Sequence, residues 1–236
     1  MGVLTGHYHR GYCPICERRT VFVVRDSWLR DHYRCIRCGS IPRFRALIHV
    51  LQENFPAWRD QRIHESSPGG SSSDKLRREC RNYVATHFFP DAKHGEVKNG
   101  YRSEDLERQT FDDQEFDIVI TQDVFEHVLN PAAAFKEISR TLKPGGAHIF
   151  TVPWYSSKPT FVRAVEEHGS IRHVAKPDYH VNPIDDRGSL VVTEWGWDLC
   201  DFIYRHSELT TTVMRIDDRS RGIRAEFNEV FVSRKH

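Results

Sequence analysis

No stretch of this 236-residue chain offers the roughly 18 uninterrupted apolar residues that a membrane-spanning helix needs. The opening MGVLTGHYHRGYC also lacks the apolar core of a secretory signal. A cytoplasmic, reducing setting is therefore expected, with no membrane partner. No GxGxxG follows any apolar run, which removes the usual dinucleotide-binding fingerprint. Net charge is nearly absent at +1, yet it is unevenly placed. Residues 1–45 carry nine arginines against three acids, and the remainder carries 25 basic against 30 acidic side chains. A basic end can meet phosphate, although small metal modules are often basic without touching nucleic acid. The length suits one ordinary α/β domain plus a small module.

Cysteine is scarce too, but four of the six stand in two pairs, Cys13-Pro-Ile-Cys16 and Cys35-Ile-Arg-Cys38, eighteen residues apart. Each CxxC can present two thiolates from one tight knuckle, and two knuckles make a tetrahedral S₄ site suited to Zn²⁺. Two disulfides or four free thiols are the alternatives, and a reducing setting favours zinc. Four cysteines leave no open coordination position, so such a zinc would be structural. Thr20 to Val24 reads as a strand between the knuckles, which makes residues 1–42 a zinc ribbon. Cys80 and Cys200 have no CxxC partner and read as packing residues. A helix should follow, entered at Pro42, with Phe44, Leu47, Ile48, Leu51 and Phe55 on one face. Arg43 and Arg45 are then left to face an acceptor or solvent.

The richest stretch is Phe116 to Pro153, FDIVITQDVFEHVLNPAAAFKEISRTLKPGGAHIFTVP. Phe116 to Thr121 is the short apolar run of a buried parallel strand. Asn130-Pro131 supplies an N-cap and a first-turn proline. Ala134, Phe135, Ile138 and Leu142 recur at helical spacing, and Lys143-Pro-Gly-Gly146 is expected to stop the helix before a strand from His148 to Val152. The β-α-β order makes the strands parallel and places ligand beyond their carboxyl ends, where Thr121 to His127 lie.

This ordered run resembles the class I S-adenosylmethionine-dependent methyltransferases, in the subgroup called type 11, and the resemblance extends loosely over residues 60–236. It implies a Rossmann-like α/β fold with a seven-stranded sheet whose last strand is antiparallel, filling residues 43–236. Thr210 to Ile216 and Glu226 to Ser233 suit its closing strands. It also implies S-adenosyl-L-methionine as cofactor. Arg62-Ile-His-Glu-Ser-Ser-Pro-Gly-Gly-Ser71 falls at the first strand and its cofactor loop. There Glu65 matches the family acid and Pro68-Gly69 the central turn, with Gly70 a further cofactor-binding candidate, while Ser67 and Ser71 stand where glycines are usual. Small residues let backbone N–H groups approach a carboxylate, and the acid suits an ammonium. Asn82 to His87 matches the second strand, but the acid expected for the ribose is missing. Thr86 and His87 occupy its place, with Asp91 as a substitute. Arg102 to Leu106 resembles the adenine-contacting segment, with Asp105 and Leu106 as its candidates; the same residues also suit a helix N-terminus. Gln122 and Asp123 come off the strand where donor and acceptor should meet.

In some members of the family an acid, two residues and Glu-His help hold a divalent cation, a spacing that Asp123, Glu126 and His127 match. Glu-His is also widespread in members without an ion. His127 is a candidate base, and so is His180, in the polar segment Lys176 to Pro183 with Tyr179 and Asn182. Ser189 to Thr193 is expected as a strand, and a helix is expected to start within Glu194-Trp-Gly-Trp-Asp198. Asp123, His127 and His180 are thus the catalytic candidates. The implied reaction is methyl transfer to a small-molecule or glycan acceptor, favoured on oxygen. An RNA methyltransferase docking through the ribbon and a non-catalytic binding protein are the alternative readings.

Overall fold

The computed structural model describes residues 8–180 and 188–236. Three short strands, β1 (Tyr8–Cys13), β2 (Arg18–Val24) and β3 (Tyr33–Cys35), pair antiparallel in the order β1-β2-β3, with the one-turn α1 (Leu29–His32) inserted before β3. The two CxxC knuckles lie at the ends of β1 and β3. Pro42 opens α2 (Pro42–Asn54) as its first residue, the position where a missing N–H costs nothing.

The main sheet is then built from β4 (Arg62–Ser66), α3 (Gly70–Glu79), β5 (Asn82–His87), β6 (Val97–Lys98), β7 (Tyr101–Ser103), β8 (Phe116–Gln122), α4 (Pro131–Thr141) and β9 (Leu142–Thr151). Five small strands follow: β10 (Trp154–Tyr155), β11 (Phe161–Val162), β12 (Ala164–Glu167), β13 (Ser170–His173) and β14 (Tyr179–His180). After them come β15 (Ser189–Leu190), β16 (Thr193–Gly196), α5 (Leu199–Ser207), β17 (Thr210–Met214) and β18 (Val230–Arg234). The large sheet runs β17-β18-β9-β8-β4-β5-β7-β6. β4, β5, β7, β8 and β9 are mutually parallel, and β18 is inserted antiparallel beside β9.

Three expectations need correction. The sheet has eight strands among the described residues, because Asn99 and Gly100 both take positive φ and fold Val97–Lys98 back onto β7. Such a two-residue turn matches the twist of a hairpin. Lys143 to Gly146 do not separate helix from strand. Leu142 leaves α4 and already pairs with Phe116, and Lys143 to Gly146 then bulge out, with Gly145 at φ +78°, before pairing resumes between Ile118 and Ala147. The residues from Glu194 onward do not begin a helix either. Trp195 is buried against Phe135 and Phe202, while Glu194 turns the other way to Lys158 and Arg163. That alternation is a strand's, and α5 starts only at Leu199. Asn130 caps α4 as expected, its side chain accepting from the Ala133 N–H.

The N-terminal module is packed into the α/β body. Cys13, Ile15, Phe22, Tyr33 and Cys35 share one buried cluster with Leu47, Ile48 and Leu51 of α2 and with Ile63, Ile118 and Ile149 of the sheet. Arg45 is fully buried at this junction and donates to the carbonyls of Ser40, Tyr33 and Gly222, with its guanidinium over the Phe22 and Tyr33 rings. Burial lowers its pKa to about 10, so it stays charged. Lys75 is equally buried and pairs with Glu17 and Glu79, each at 2.9 Å. Glu17 sits in the first knuckle, so this pair ties the knuckle to α3. Removing one partner of a buried pair leaves an uncompensated charge, which makes the junction stiff.

Candidate functional site

The carboxyl ends of β4, β5 and β8 converge on the loop Ser67 to Ser73. Glu65, the last but one residue of β4, is wholly buried. Its Oε1 accepts from Ser73 Oγ and Gln122 Nε2, both at 2.8 Å, and its Oε2 accepts from the Tyr83 hydroxyl at 2.5 Å. Burial raises its pKa and these hydrogen bonds oppose the rise. The loop itself is held locally: Ser67 takes a positive φ, its N–H donates to Thr86 O, and the Gly69 N–H donates to Ser73 Oγ. A side chain at Gly70 would be driven into the Phe44 ring, and Gly70 also has φ +75°. At Gly69 φ is extended and an added Cβ meets nothing within 4 Å. The Ser71 hydroxyl is buried without a partner.

The first turn of α2 covers this loop. Phe44 lies on Gly70, and Arg43 stacks on Phe44. On the next strand His87 is buried, its ring edge-on to Tyr101 with centroids 4.5 Å apart, and burial lowers its pKa. Asp91 is exposed and pairs with Lys98. Asp105 closes a turn by accepting from the Glu107 N–H, while Leu106 is buried against the α4 side of the sheet. Arg102 to Leu106 thus begins with the end of β7 and holds no helix. Gln122 bridges Glu65 and Ser72.

Asp123 takes a positive φ just past β8. Its Oδ1 accepts from Thr151 Oγ1 at 3.0 Å, and its Oδ2 receives Arg30 at 2.6 Å and Arg43 at 3.0 Å. Those guanidiniums hold its carboxyl below the usual range against the effect of burial. Arg30, contributed by α1 of the N-terminal module, also donates to the Phe227 carbonyl. Nothing in its sequence context marked it for this place.

Glu126 is 1% exposed, and neither carboxylate oxygen has a hydrogen-bond partner. Burial first, then the neighbouring Asp123 charge, raises its pKa well above the ordinary value. His127 donates from Nδ1 to the Leu190 carbonyl at 2.8 Å, which leaves the Nε2 lone pair free. Burial lowers its pKa, so the ring is neutral near pH 7. His180 packs edge-on to His127 with centroids 5.3 Å apart. The structure therefore joins His127 and His180 across the intervening insert, while Asp123 is engaged by Arg30, Arg43 and Thr151. Tyr179 is exposed, and Asn182 lies outside the described residues.

The four cysteines Cys13, Cys16, Cys35 and Cys38 converge with all sulfurs within 4.8 Å of one another. Cys13 and Cys38 Sγ stand 3.7 Å apart, and all four thiols are free. Bonds of about 2.3 Å at a tetrahedral centre place sulfurs ~3.8 Å apart, so the donor set fits Zn²⁺. Ser40 and Thr20 hydroxyls approach the Cys13 and Cys35 sulfurs at 3.4 and 3.3 Å, the outer contacts expected around a metal-held thiolate.

Residues 66–150 match the family model described as a methyltransferase domain. Among solved structures, the chain is similar to an S-adenosylmethionine-dependent methyltransferase from Mesorhizobium loti, with 14% identity, 80% of this chain and 96% of that one covered, and a TM-score of 0.51. The Burkholderia thailandensis 1,6-didemethyltoxoflavin-N1-methyltransferase, solved with S-adenosylhomocysteine bound, gives 13% identity over 82% of this chain and 78% of that one, at TM-score 0.52. A chain of the Haloferax volcanii complex between the Trm112 methyltransferase activator and its proposed methyltransferase gives 17% identity over 82% and 90%, at TM-score 0.51. No curated protein sequence matches the chain.

At these identities the structural likeness speaks for the fold, and the family match for the segment that carries the loop after β4 and β8. The match over residues 66–150 and the fold around it together support an S-adenosylmethionine-dependent methyltransferase, an enzyme. No helix among the described residues is long and apolar enough to cross a membrane.

Proposed function

We propose that this methyltransferase acts on a small-molecule or glycan hydroxyl, with a structural zinc in its four-cysteine module. S-adenosylmethionine would lie against the loop Ser67 to Ser71, with Glu65, Gln122, His87, Asp105 and Leu106 around it. The sulfonium methyl is already activated, so the protein contributes mainly alignment and, for oxygen attack, disposal of a proton. One observation carries the oxygen reading. The buried, unpartnered Glu126 and the neutral His127 stand with His180 just beyond the end of β8, where the acceptor should sit. Asp123, bound by two arginines, shapes the wall and fixes the N-terminal module against it.

The first test is calorimetry with S-adenosylhomocysteine. Micromolar binding is expected for the unaltered chain, and Gly69→Phe should weaken it at least tenfold with an unchanged circular dichroism spectrum, because φ there is ordinary and the side chain projects into the loop's open side. Equal affinity in both proteins would place the cofactor elsewhere.

The exposed face of the ribbon sheet favours a second reading, docking of RNA. Alternation along β1 turns Tyr8, Arg10 and Tyr12 outward together, and Tyr12 sits opposite Arg19. Arg10, Arg19 and Arg37 line a groove of about 700 Å³ in which no acid takes part. Interleaved aromatics and guanidiniums suit stacked bases and phosphates. Retention on single-stranded RNA with a steep salt slope, reduced by R10A/R19A, would favour this reading; weak, salt-insensitive binding would remove it.

A further inference from the structure

We propose that Glu126, His127 and His180 form a binding site for a divalent transition-metal ion at the acceptor end of the catalytic cleft. The three ligand atoms lie within 4.8 Å of one another, and Glu126 Oε1 is 3.9 Å from both His127 Nε2 and His180 Nδ1. Bonds of about 2.0–2.2 Å from nitrogen and oxygen require only that this triangle contract slightly. The freedom to contract lies in His180, whose side chain is 44% exposed on the two-residue strand β14.

Three features point to a cation and not to a chance cluster. First, a carboxylate buried to 1% exposure with both oxygens unpartnered is costly, and a cation satisfies both oxygens at once. A neutral carboxyl in the same place would still leave its O–H without an acceptor. Second, His127 carries the hydrogen bond that metal-binding imidazoles usually carry. Its Nδ1–H donates to the Leu190 carbonyl, which fixes the ring and leaves Nε2 as the ligating atom. Third, Val192 and Thr193 N–H groups both donate to the Glu126 carbonyl, so the backbone that aims the carboxylate is anchored to the same segment as Leu190.

The ligand set departs from the Asp123, Glu126, His127 spacing in the sequence. Asp123 has no free oxygen for an ion, because Thr151, Arg30 and Arg43 engage both of its oxygens. His180, 53 residues beyond His127, takes the third place. One carboxylate and two imidazoles suit a first-row transition ion better than Mg²⁺ or Ca²⁺, and three protein ligands leave positions open for water or an acceptor hydroxyl. That such an ion would orient a hydroxyl and favour its loss of a proton rests on the oxygen-acceptor reading above. The binding itself does not.

The test is a Co²⁺ titration of the full chain, with zinc in the four-cysteine module, followed by visible absorption and calorimetry. One saturable Co²⁺ per chain is expected, without the intense thiolate bands of a sulfur-bound ion. Glu126→Gln and His180→Ala should each raise the Kd at least tenfold, while His173→Ala, on the exposed β13, leaves it unchanged. H180A alters a half-exposed side chain on the exposed strand β14, so it keeps the test open if E126Q disturbs the fold. Absence of saturable Co²⁺ binding, or an unchanged Kd in both variants, would overturn the proposal. S-adenosylhomocysteine affinity in the same samples separates the two readings: retained cofactor binding without Co²⁺ binding removes the metal site alone.

Discussion

Replacing Cys35 with serine is expected to abolish zinc binding and to loosen far more of the molecule than its first 42 residues. Cys35 is 2% exposed, and its sulfur belongs to a set of four within 4.8 Å of one another. Structural zinc sites contribute about 10–16 kcal/mol to folding in isolated modules, a value comparable to the ~5–15 kcal/mol stability of whole domains. In a module with its own core that loss would stay local. Here Cys13, Phe22, Tyr33 and Cys35 share one cluster with α2 and with Ile63 and Ile118 of the central strands. Without zinc, the knuckle that carries Glu17 loses its anchor, and the buried Lys75 loses one of its two partners. Arg30 and Arg43 would also lose the frame that holds them on Asp123. The expected result for Cys35→Ser is less than one tenth of a zinc per chain on metal analysis, by rough estimate. Near-UV dichroism should be reduced and the urea midpoint lowered by more than 1 M, again roughly. A zinc-free variant with unchanged near-UV dichroism and an unchanged midpoint would refute the coupling to the sheet, and a folded parent chain without zinc would refute the metal itself.

Local chemistry made much of this fold legible. Asn130-Pro131, Pro42, the two CxxC pairs and the apolar run at Phe116 each act within a few residues, and each stands in the structure where its sequence placed it. The Asn99-Gly100 turn was equally local, a hairpin signal flanked by only two residues on one side, and it adds the eighth strand. The error at Glu194 has a different source. Both Trp195 and Trp197 suit a helix or a strand by type, and only the packing of Trp195 against Phe135 and Phe202 decides between them.

The site was harder to read because its contacts are long-range. Glu65 and Asp123 were visible as acids at strand ends. Their partners come from Tyr83, Ser73 and Gln122 for the first, and from Arg30, Arg43 and Thr151 for the second. No spacing rule connects Arg30 to a position 93 residues away. His180 and Glu126 each stand out by residue type, but their meeting depends on how the insert after β9 folds back, with β16 pairing to both β10 and β11.

The stability gap between the unaltered chain and His148→Leu should depend on pH, and so should the gap to His64→Leu. The sequence marks these two histidines only as strand residues, yet they sit fully buried on one face of the sheet, in a single row either side of Val119. His64 contacts Thr86 Oγ1 at 2.8 Å and the rings of Phe111 and Phe116, and His148 contacts Thr121 Oγ1 at 2.9 Å while stacking on Phe150. Burial pushes both pKa values down from 6.5 to about 3, and His64 adds to the effect on His148. The folded protein therefore keeps both rings neutral at pH values where the unfolded chain protonates them. Their contribution is fully present above pH 6.5, declines as the pH falls through the window from 6.5 to about 3, and is level below it. Each histidine should cost the folded state about 1 kcal/mol between pH 7.5 and 5.5 and ~3 kcal/mol by pH 4.5, and the pair about twice that. Glu65 and Glu126, raised by burial, act in the opposite direction, so the total stability is a mixed signal. The difference between parent and variant isolates one histidine. Urea unfolding at pH 7.5, 5.5 and 4.5 should show His148→Leu gaining on its parent by those amounts, whatever its stability at the highest pH. A difference that stays constant across the three would mean that the His148 ring takes up its proton in the folded state as readily as in the unfolded one, and that the row beside Val119 is open to water.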